Sequence, residues 1–149
     1  MTQVHYRRTA LSDVYEVNSD RAEREAAGPW KDAFVQKTLH YYPRMTYSIV
    51  TEDQRVVGLA GAIPAMRGSA EVYTILDNQA LSIPSVPRLC REIGYMIQEV
   101  HEFRRIHAMA SDEEAELLDR WLRFIGLEYE ATLKSYDRGI DYHVYARVS

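Results

Sequence analysis

The stretch Trp121-Leu122-Arg123-Phe124-Ile125-Gly126-Leu127 marks a junction between a helix and a strand. An apolar stripe at helical spacing runs into it, and its glycine permits the left-handed turn that stops a helix. Residues 128–136, which follow, predict a strand. A helix that returns directly into a strand is typical of an α/β domain. The stripe consists of Leu117, Leu118, Trp121, Leu122 and Ile125.

The regions on both sides of this junction continue the same alternation. Residues 105–110 predict a strand, and Ser111 or Asp112 is expected to cap the helix that follows it. After the junction, a turn at Asp137-Arg138-Gly139 separates the strand over residues 128–136 from a last strand over residues 142–148. Upstream lies the most strongly periodic helix, with Pro87 in its first turn, where a proline is tolerated. Its stripe is Leu89, Ile93, Met96, Ile97 and Val100.

The first half of the chain predicts one strand and two helices, followed by three strands. Residues 4–8 alternate as a strand. A helix capped by Thr9 or Ser12 is expected to end at Gly28-Pro29, and a second to cover residues 30–40. The polar turn Glu52-Asp53-Gln54 between two apolar runs predicts a hairpin, and residues 71–76 predict a third strand.

The predicted order is therefore β-α-α-β-β-β-α-β-α-β-β in a single domain over residues 1–149. This is an α/β fold with a mixed, mostly antiparallel sheet of about six or seven strands and about four flanking helices.

Composition excludes several classes of protein. A formal charge of −4 argues against a dedicated nucleic-acid binder, and no apolar run approaches the ~20 residues of a membrane span. The single cysteine, Cys90, excludes an internal disulfide and fits a reducing compartment, so we expect a cytoplasmic protein. Its helical spacing from Ile93 predicts a small buried residue. The five histidines show no metal-ligand spacing, and we expect no metal.

The predicted order resembles the GNAT (N-acetyltransferase) superfamily over nearly the whole chain. Two local stretches support the resemblance. Arg55-Val56-Val57-Gly58-Leu59-Ala60 is similar to the family's third strand, and the junction over residues 121–127 is similar to the end of its last helix. The resemblance implies transfer of an acyl group from acetyl-CoA, as co-substrate, to a small amine or a protein amine.

The resemblance also implies a site, from which this sequence departs. The family holds the pyrophosphate in a glycine-rich loop between the fourth strand and the main helix. Here residues 77–88 contain no glycine, and Pro84 and Pro87 lack an N–H. The side chains of Ser82, Ser85 and Arg88 are the candidates to replace the missing contacts. The alternative is a loop that merely caps the helix.

The resemblance assigns the chemistry to the fourth strand. Glu71 holds the place of the general base, although it also fits an exposed edge carboxylate. A backbone N–H within Ile75, Leu76 and Asp77 would polarise the thioester carbonyl. The tyrosine with which the family often protonates the leaving thiolate is replaced by Leu122, which leaves other tyrosines, such as Tyr73 or Tyr129, as alternatives.

A narrower resemblance is to the small GNAT-like proteins of tailed bacteriophages, including the internal virion protein A group. It rests on the compact length and on Leu122 with Ile125-Gly126 at the end of the last helix. It implies a non-catalytic interaction protein of a bacterial host's cytoplasm, packaged with virion proteins as partners. Three functions thus stay open: an N-acyltransferase, a non-catalytic virion or interaction protein, and an acyl-CoA sensor without turnover.

Overall fold

Seven strands form one continuous sheet in the order β1-β2-β3-β4-β5-β7-β6. The computed structural model describes residues 3–26 and 29–149. All neighbouring strands are antiparallel except β4 and β5, which run parallel. The strands are β1 Val4–Arg8, β2 Thr46–Thr51, β3 Val56–Pro64, β4 Ser69–Leu76, β5 Arg105–Ser111, β6 Glu128–Asp137 and β7 Ile140–Val148.

Five α-helices flank this sheet in the described part of the chain, one more than the approximate number predicted. The third continues into a π-helical turn at Val35–Leu39, and 3₁₀ turns lie at Pro43–Met45 and Ala80–Ser82. The predicted α/β class and mixed sheet are confirmed, with seven strands that follow one another along the chain as predicted. The helices are α1 Leu11–Glu16, α2 Asp20–Ala26, α3 Trp30–Phe34, α4 Ser85–Val100 and α5 Asp112–Phe124.

Two hydrophobic cores lie on opposite faces of the sheet. The larger is formed by α4 and α5, whose buried side chains, such as Ile93 and Leu122, pack on Ile106 and other residues of the strands. The smaller lies under α1 to α3, where Phe34 packs with Leu59 of β3. The strands that contribute to this second core are β2, β3 and β4, so α1 to α3 cover one half of the sheet.

The prediction of a single first helix was wrong, because the chain turns extended at Val17 and divides it into α1 and α2. Residues far along the chain stabilise this break. The Asp77 carboxylate accepts the Asn18 N–H, and the Asn78 side chain accepts the Asp20 N–H, both at 3.0 Å. The predicted end of this helix at Gly28 lies outside the described residues.

The predicted cap of α1 was also wrong, since Ala10 and neither Thr9 nor Ser12 occupies the capping position. The side chain of Asp13, in the first turn, accepts the Ala10 N–H at 2.8 Å and so performs the capping. Ser111 does hold the capping position of α5, though without a side-chain hydrogen bond.

Gly126 ends α5 as predicted, with a φ of +98°. A Cβ at this position would overlap the Tyr95 ring of α4, so the close approach of the two helices also requires glycine.

Candidate functional site

Strands β4 and β5 separate soon after they begin to pair. Their register runs from the pair Ser69–Arg105 to the pair Glu71–His107 and stops there. Both strands continue past this point, β4 to Leu76 and β5 to Ser111. A wedge-shaped gap therefore opens in the middle of the sheet. We call it the splay.

The backbone of β4 presents unpaired groups to the splay. The Asp77 N–H is donated to the Val57 carbonyl of β3 at 2.9 Å, which fixes the phase of the strand. Because N–H groups alternate in direction along a strand, the N–H of Ile75 also faces β3. The N–H groups of Thr74 and Leu76 then face the splay.

This phase distinguishes the three backbone donors expected from the sequence. Ile75 and Asp77 direct their N–H groups to β3, and only Leu76 directs its N–H into the gap. Thr74, which sequence reasoning missed, presents a second N–H there. Strand phase has no signature in residue type, so no sequence signal could have found Thr74.

A cavity of about 60 Å³ opens from the splay on the side of α4 and α5. This volume holds roughly four water-sized groups. A Cβ atom at Gly94 would meet nothing within 4 Å, so there is open space in front of this glycine. The walls come from β4, β5, α4 and α5 and include Val72, Thr74, Ala108, Cys90, Gly94 and Leu122.

The cavity wall holds no group suited to nucleophilic attack or to protonating a thiolate through a tyrosine. Burial raises the pKa of the Cys90 thiol to about 12, so it stays protonated at neutral pH. Leu122 faces the cavity at the position expected for the family's tyrosine. The alternatives are engaged elsewhere: the Tyr73 hydroxyl lies 3.0 Å from Thr46 Oγ1, and the Tyr129 hydroxyl lies 2.6 Å from Thr132 Oγ1.

Glu71 and His107 lie on the opposite face of the sheet, at the narrow end of the splay. Tyr73 and Ile75 pack on the core under α1 to α3, and Glu71 shares their strand parity. His107 is the lateral partner of Glu71 and therefore projects to the same side. The Glu71 side chain is exposed, whereas Nδ1 of His107 is buried without a hydrogen-bond partner in the described residues.

The charges around His107 favour a neutral imidazole. Burial lowers the pKa of His107, and the nearby Arg105 guanidinium lowers it further, against the opposing effect of Glu71 and Glu130. Arg105 is itself fixed by two hydrogen bonds to Glu130, at 2.6 and 2.8 Å. A neutral imidazole and a free carboxylate thus stand side by side where the strands part.

The loop expected to hold a pyrophosphate uses its own backbone donors. Residues 77–88 include two prolines, so ten of the twelve carry an N–H, and seven of these ten donate within the protein at 2.8–3.2 Å. Asn78, for example, donates to the Asn18 carbonyl, and Gln79 donates to the Asp77 carboxylate. The seven donors are Asp77, Asn78, Gln79, Ala80, Ser82, Ile83 and Val86.

The three side chains expected to replace that cradle are in different states. The Ser82 hydroxyl donates to the Gln79 carbonyl at 2.7 Å. The Ser85 hydroxyl is buried and has no hydrogen-bond partner in the described residues. Arg88 is exposed and forms no hydrogen bond or ion pair with any residue that the structure describes.

Comparison of the structure with solved structures identifies the fold. An acetyltransferase of the GNAT family from Bacillus anthracis superposes with a TM-score of 0.78 over 97% of this chain and 94% of its own, at 15% identity. The chain has the GNAT fold. A ribosomal-protein-alanine N-acetyltransferase from Brucella melitensis shares the GNAT fold with a TM-score of 0.75 at 18% identity, over 97% of this chain and 99% of its own.

A third GNAT-fold neighbour is a mutant spermidine N-acetyltransferase from Vibrio cholerae, with a TM-score of 0.73 at 13% identity over 98% of this chain and 94% of its own. No protein-family model matches the sequence, and no curated protein matches it significantly. In the described ranges of this GNAT fold, no helix has the length and apolar character to cross a membrane. The same ranges contain no group of three His, Cys, Asp or Glu side chains suited to a metal ion.

Proposed function

We propose that the protein is an N-acyltransferase that takes a short acyl group from an acyl-CoA-type thioester, such as acetyl-CoA. The observation that carries the proposal is the splay, with the N–H groups of Thr74 and Leu76 facing it and a cavity of about 60 Å³ beside them. An extended amide chain can add to such unpaired strand groups by main-chain hydrogen bonds. The cavity has room for a short acyl group.

The proposed roles follow from the two faces of the sheet. The thioester approaches from the side of α4 and α5, and a splay-facing N–H of Thr74 or Leu76 stabilises the oxyanion that forms on its carbonyl. The amine approaches from the other face, where Glu71 accepts its proton, with His107 adjacent. The nitrogen–carbon bond forms and the carbon–sulfur bond breaks. The nitrogen's second proton passes through water to the departing thiolate, because Leu122 has none to give.

The acceptor is proposed to be a small amine or a protein amine. Two GNAT-fold neighbours are named for such acceptors, the alanine of a ribosomal protein in one case and spermidine in the other. The Glu71 carboxylate at the narrow end of the splay favours a cationic acceptor, since the neighbouring Glu130 is already paired with Arg105. The reaction is proposed for the cytoplasm, where a lone thiol such as Cys90 stays reduced.

Calorimetric titration with acetyl-CoA tests this proposal. We expect micromolar binding. Arg88→Ala should weaken it a few-fold at low salt, because an exposed guanidinium contributes a screened attraction to phosphate. Glu92→Ala, an exposed change on the same helix, is the matched control and should bind as the wild type does. No binding by a folded protein at millimolar acetyl-CoA would exclude the proposal.

A second candidate is a non-catalytic binding protein on the same fold, supported by the internally bonded loop over residues 77–88 and by Leu122. The phage origin and the virion partners expected from the narrower resemblance belong to this alternative, and the bacterial acetyltransferases named above lend it no support. The same titration separates the candidates, since a binding protein without an acyl-donor site gives no heat with acetyl-CoA.

A further inference from the structure

We infer that the acyl donor is recognised through its acyl-phosphopantetheine arm, and that the nucleotide half of an acyl-CoA contributes little to binding. This inference rests on the proposed function and specifies its donor. It follows from three features of the loop over residues 77–88: its backbone donors, its fixed charge and its single free cation.

The backbone of the loop cannot form an anion-binding nest. Such a nest needs successive N–H groups that converge on one phosphate. Seven of the ten N–H groups are already donated inside the protein. Of the other three, the Arg88 N–H lies at the fourth position of α4, where it belongs to the helix's own hydrogen-bond ladder. Only the N–H groups of Leu81 and Ser85 remain, and these two residues are not adjacent in the chain.

The start of α4 is depleted of donors for the same ligand. A helix ordinarily offers its first N–H groups to an anion. Pro84 holds the capping position and Pro87 the third helical position, and neither has an N–H. The Val86 N–H between them is donated to the Ile83 carbonyl at 3.1 Å. Of the first helical turn, only Ser85 retains its donor.

A fixed carboxylate adds repulsion. Both oxygens of Asp77 accept backbone hydrogen bonds at 3.0 Å, one from Asn18 and one from Gln79. The side chain is therefore held at the end of β4 against the break between α1 and α2, and cannot turn away without breaking the contact that divides the two helices. A diphosphate in the loop would meet this fixed negative charge at the loop's first residue.

The Arg55 guanidinium beside the loop already donates to the Gln79 side chain at 3.0 Å, and the one cation within residues 77–88 is the exposed side chain of Arg88. Arg88 can neutralise one phosphate but not three. CoA carries a diphosphate and a further phosphate on its nucleotide, and an exposed charge such as that of Arg88 is screened beyond roughly 10 Å at ordinary ionic strength. The splay supplies contacts for the pantetheine amides, and Arg88 supplies one for the phosphate at the end of the arm. Apart from Arg88, residues 77–88 retain only the Leu81 N–H and the N–H and buried hydroxyl of Ser85, so we expect little discrimination between acyl-CoA and the bare arm.

The test compares the dissociation constants of acetyl-CoA and acetyl-4′-phosphopantetheine by calorimetry on the intact protein. We expect the two values to agree within about threefold, and Arg88→Ala to weaken both by the same factor. Acetyl-CoA that binds more than tenfold tighter would overturn the inference and leave the proposed function standing. Failure of both ligands to bind would overturn the proposed function as well, so the two failures are distinguishable.

The arm has two natural sources, free acyl-CoA and an acyl group on a carrier protein. Once the dissociation constants of acetyl-CoA and acetyl-4′-phosphopantetheine have been compared, a titration with an acetylated carrier protein distinguishes these two sources. Tighter binding of the carrier-borne arm identifies a carrier as the source, and equal or weaker binding identifies acyl-CoA.

Discussion

At the residue scale, Glu71 and His107 are neighbours on adjacent strands with different surroundings. Glu71 is open to solvent, and His107 is partly buried beside Arg105. The lowered pKa of His107 keeps its imidazole neutral at pH 7, so it does not neutralise the carboxylate next to it. Glu71 is therefore available to take a proton from an ammonium group that arrives on this face.

Glu71→Gln removes the proton acceptor without changing the shape of the site. We expect kcat to fall by about 100-fold or more, the usual range for loss of a general base, and the dissociation constant of acetyl-CoA to stay unchanged. The assay measures thiol release with spermidine and with an alanine-ended peptide as acceptors. Glu52→Gln, an exposed change in the turn between β2 and β3, is the control. Equal activity in both variants would remove Glu71 from the mechanism.

A different carboxylate, Asp13, controls stability and not chemistry. Its side chain accepts hydrogen bonds from Arg7 at 2.6 and 3.1 Å, from the Ala10 N–H at 2.8 Å and from Ser48 at 2.8 Å. Burial acts to raise the pKa of Asp13, but these hydrogen bonds outweigh it and hold the pKa below its ordinary value. The charged form is thus favoured in the folded state.

Asp13→Asn should lower the free energy of unfolding by about 2 kcal/mol at pH 7, since it removes charged hydrogen bonds at a buried position. The stabilisation from Asp13 is complete above the unfolded pKa, near 3.9, and is lost as the pH falls through the lower folded value. Urea unfolding between pH 7 and pH 2 checks this. The variant should lose less stability on acidification than the wild type, and a parallel loss in both would contradict the role of Asp13.

At the scale of elements, α4 combines strong amphipathicity with one weak position. Gly94 lies in the middle of the helix, where glycine is unfavourable, and it lines the cavity with open space in front of it. A residue that costs helix stability but keeps a cavity open fits a helix that forms one wall of a binding site.

Gly94→Ala should therefore raise stability and lower donor affinity together. We expect a gain of about 1 kcal/mol in the free energy of unfolding from helix propensity, and a several-fold weaker acetyl-CoA titration, because the methyl group enters the cavity. Thermal unfolding and calorimetry measure the two effects. Glu92→Ala on the exposed face of α4 should leave the affinity unchanged. A stabilised Gly94→Ala variant with wild-type affinity would show that the donor lies elsewhere.

At the scale of the whole molecule, the ends of helices and strands could be predicted from the sequence where a residue of special backbone conformation lies at them. The end of α5 at Gly126 and the turn before β7 depend on residues that favour positive φ, which a sequence displays. The break between α1 and α2 could not, because it is imposed by Asp77 and Asn78, 58 or 59 positions away in the chain. Tertiary contacts overrode the apolar periodicity from which one helix was expected.

The candidate site divides in the same way. The position of Glu71 in β4 could be predicted, because the β-branched and aromatic residues that follow it favour a strand by themselves. The splay, the phase that turns the Thr74 and Leu76 N–H groups into it and the internal bonding of residues 77–88 all arise from pairing between distant segments. Proline and the lack of glycine indicated an unusual loop, but which donors stay free is a property of the fold.

The most direct test of the splay as the donor site is an amide NMR titration of the protein with acetyl-CoA. We expect the resonances of the Thr74 and Leu76 amides to shift most, together with the Gly94 amide at the cavity wall, while the bonded amides of residues 77–83 shift little. Shifts concentrated in residues 77–88 with Thr74 and Leu76 unchanged would show that the splay is not the donor site, and so would a saturating titration whose shifts lie outside β4, β5 and α4.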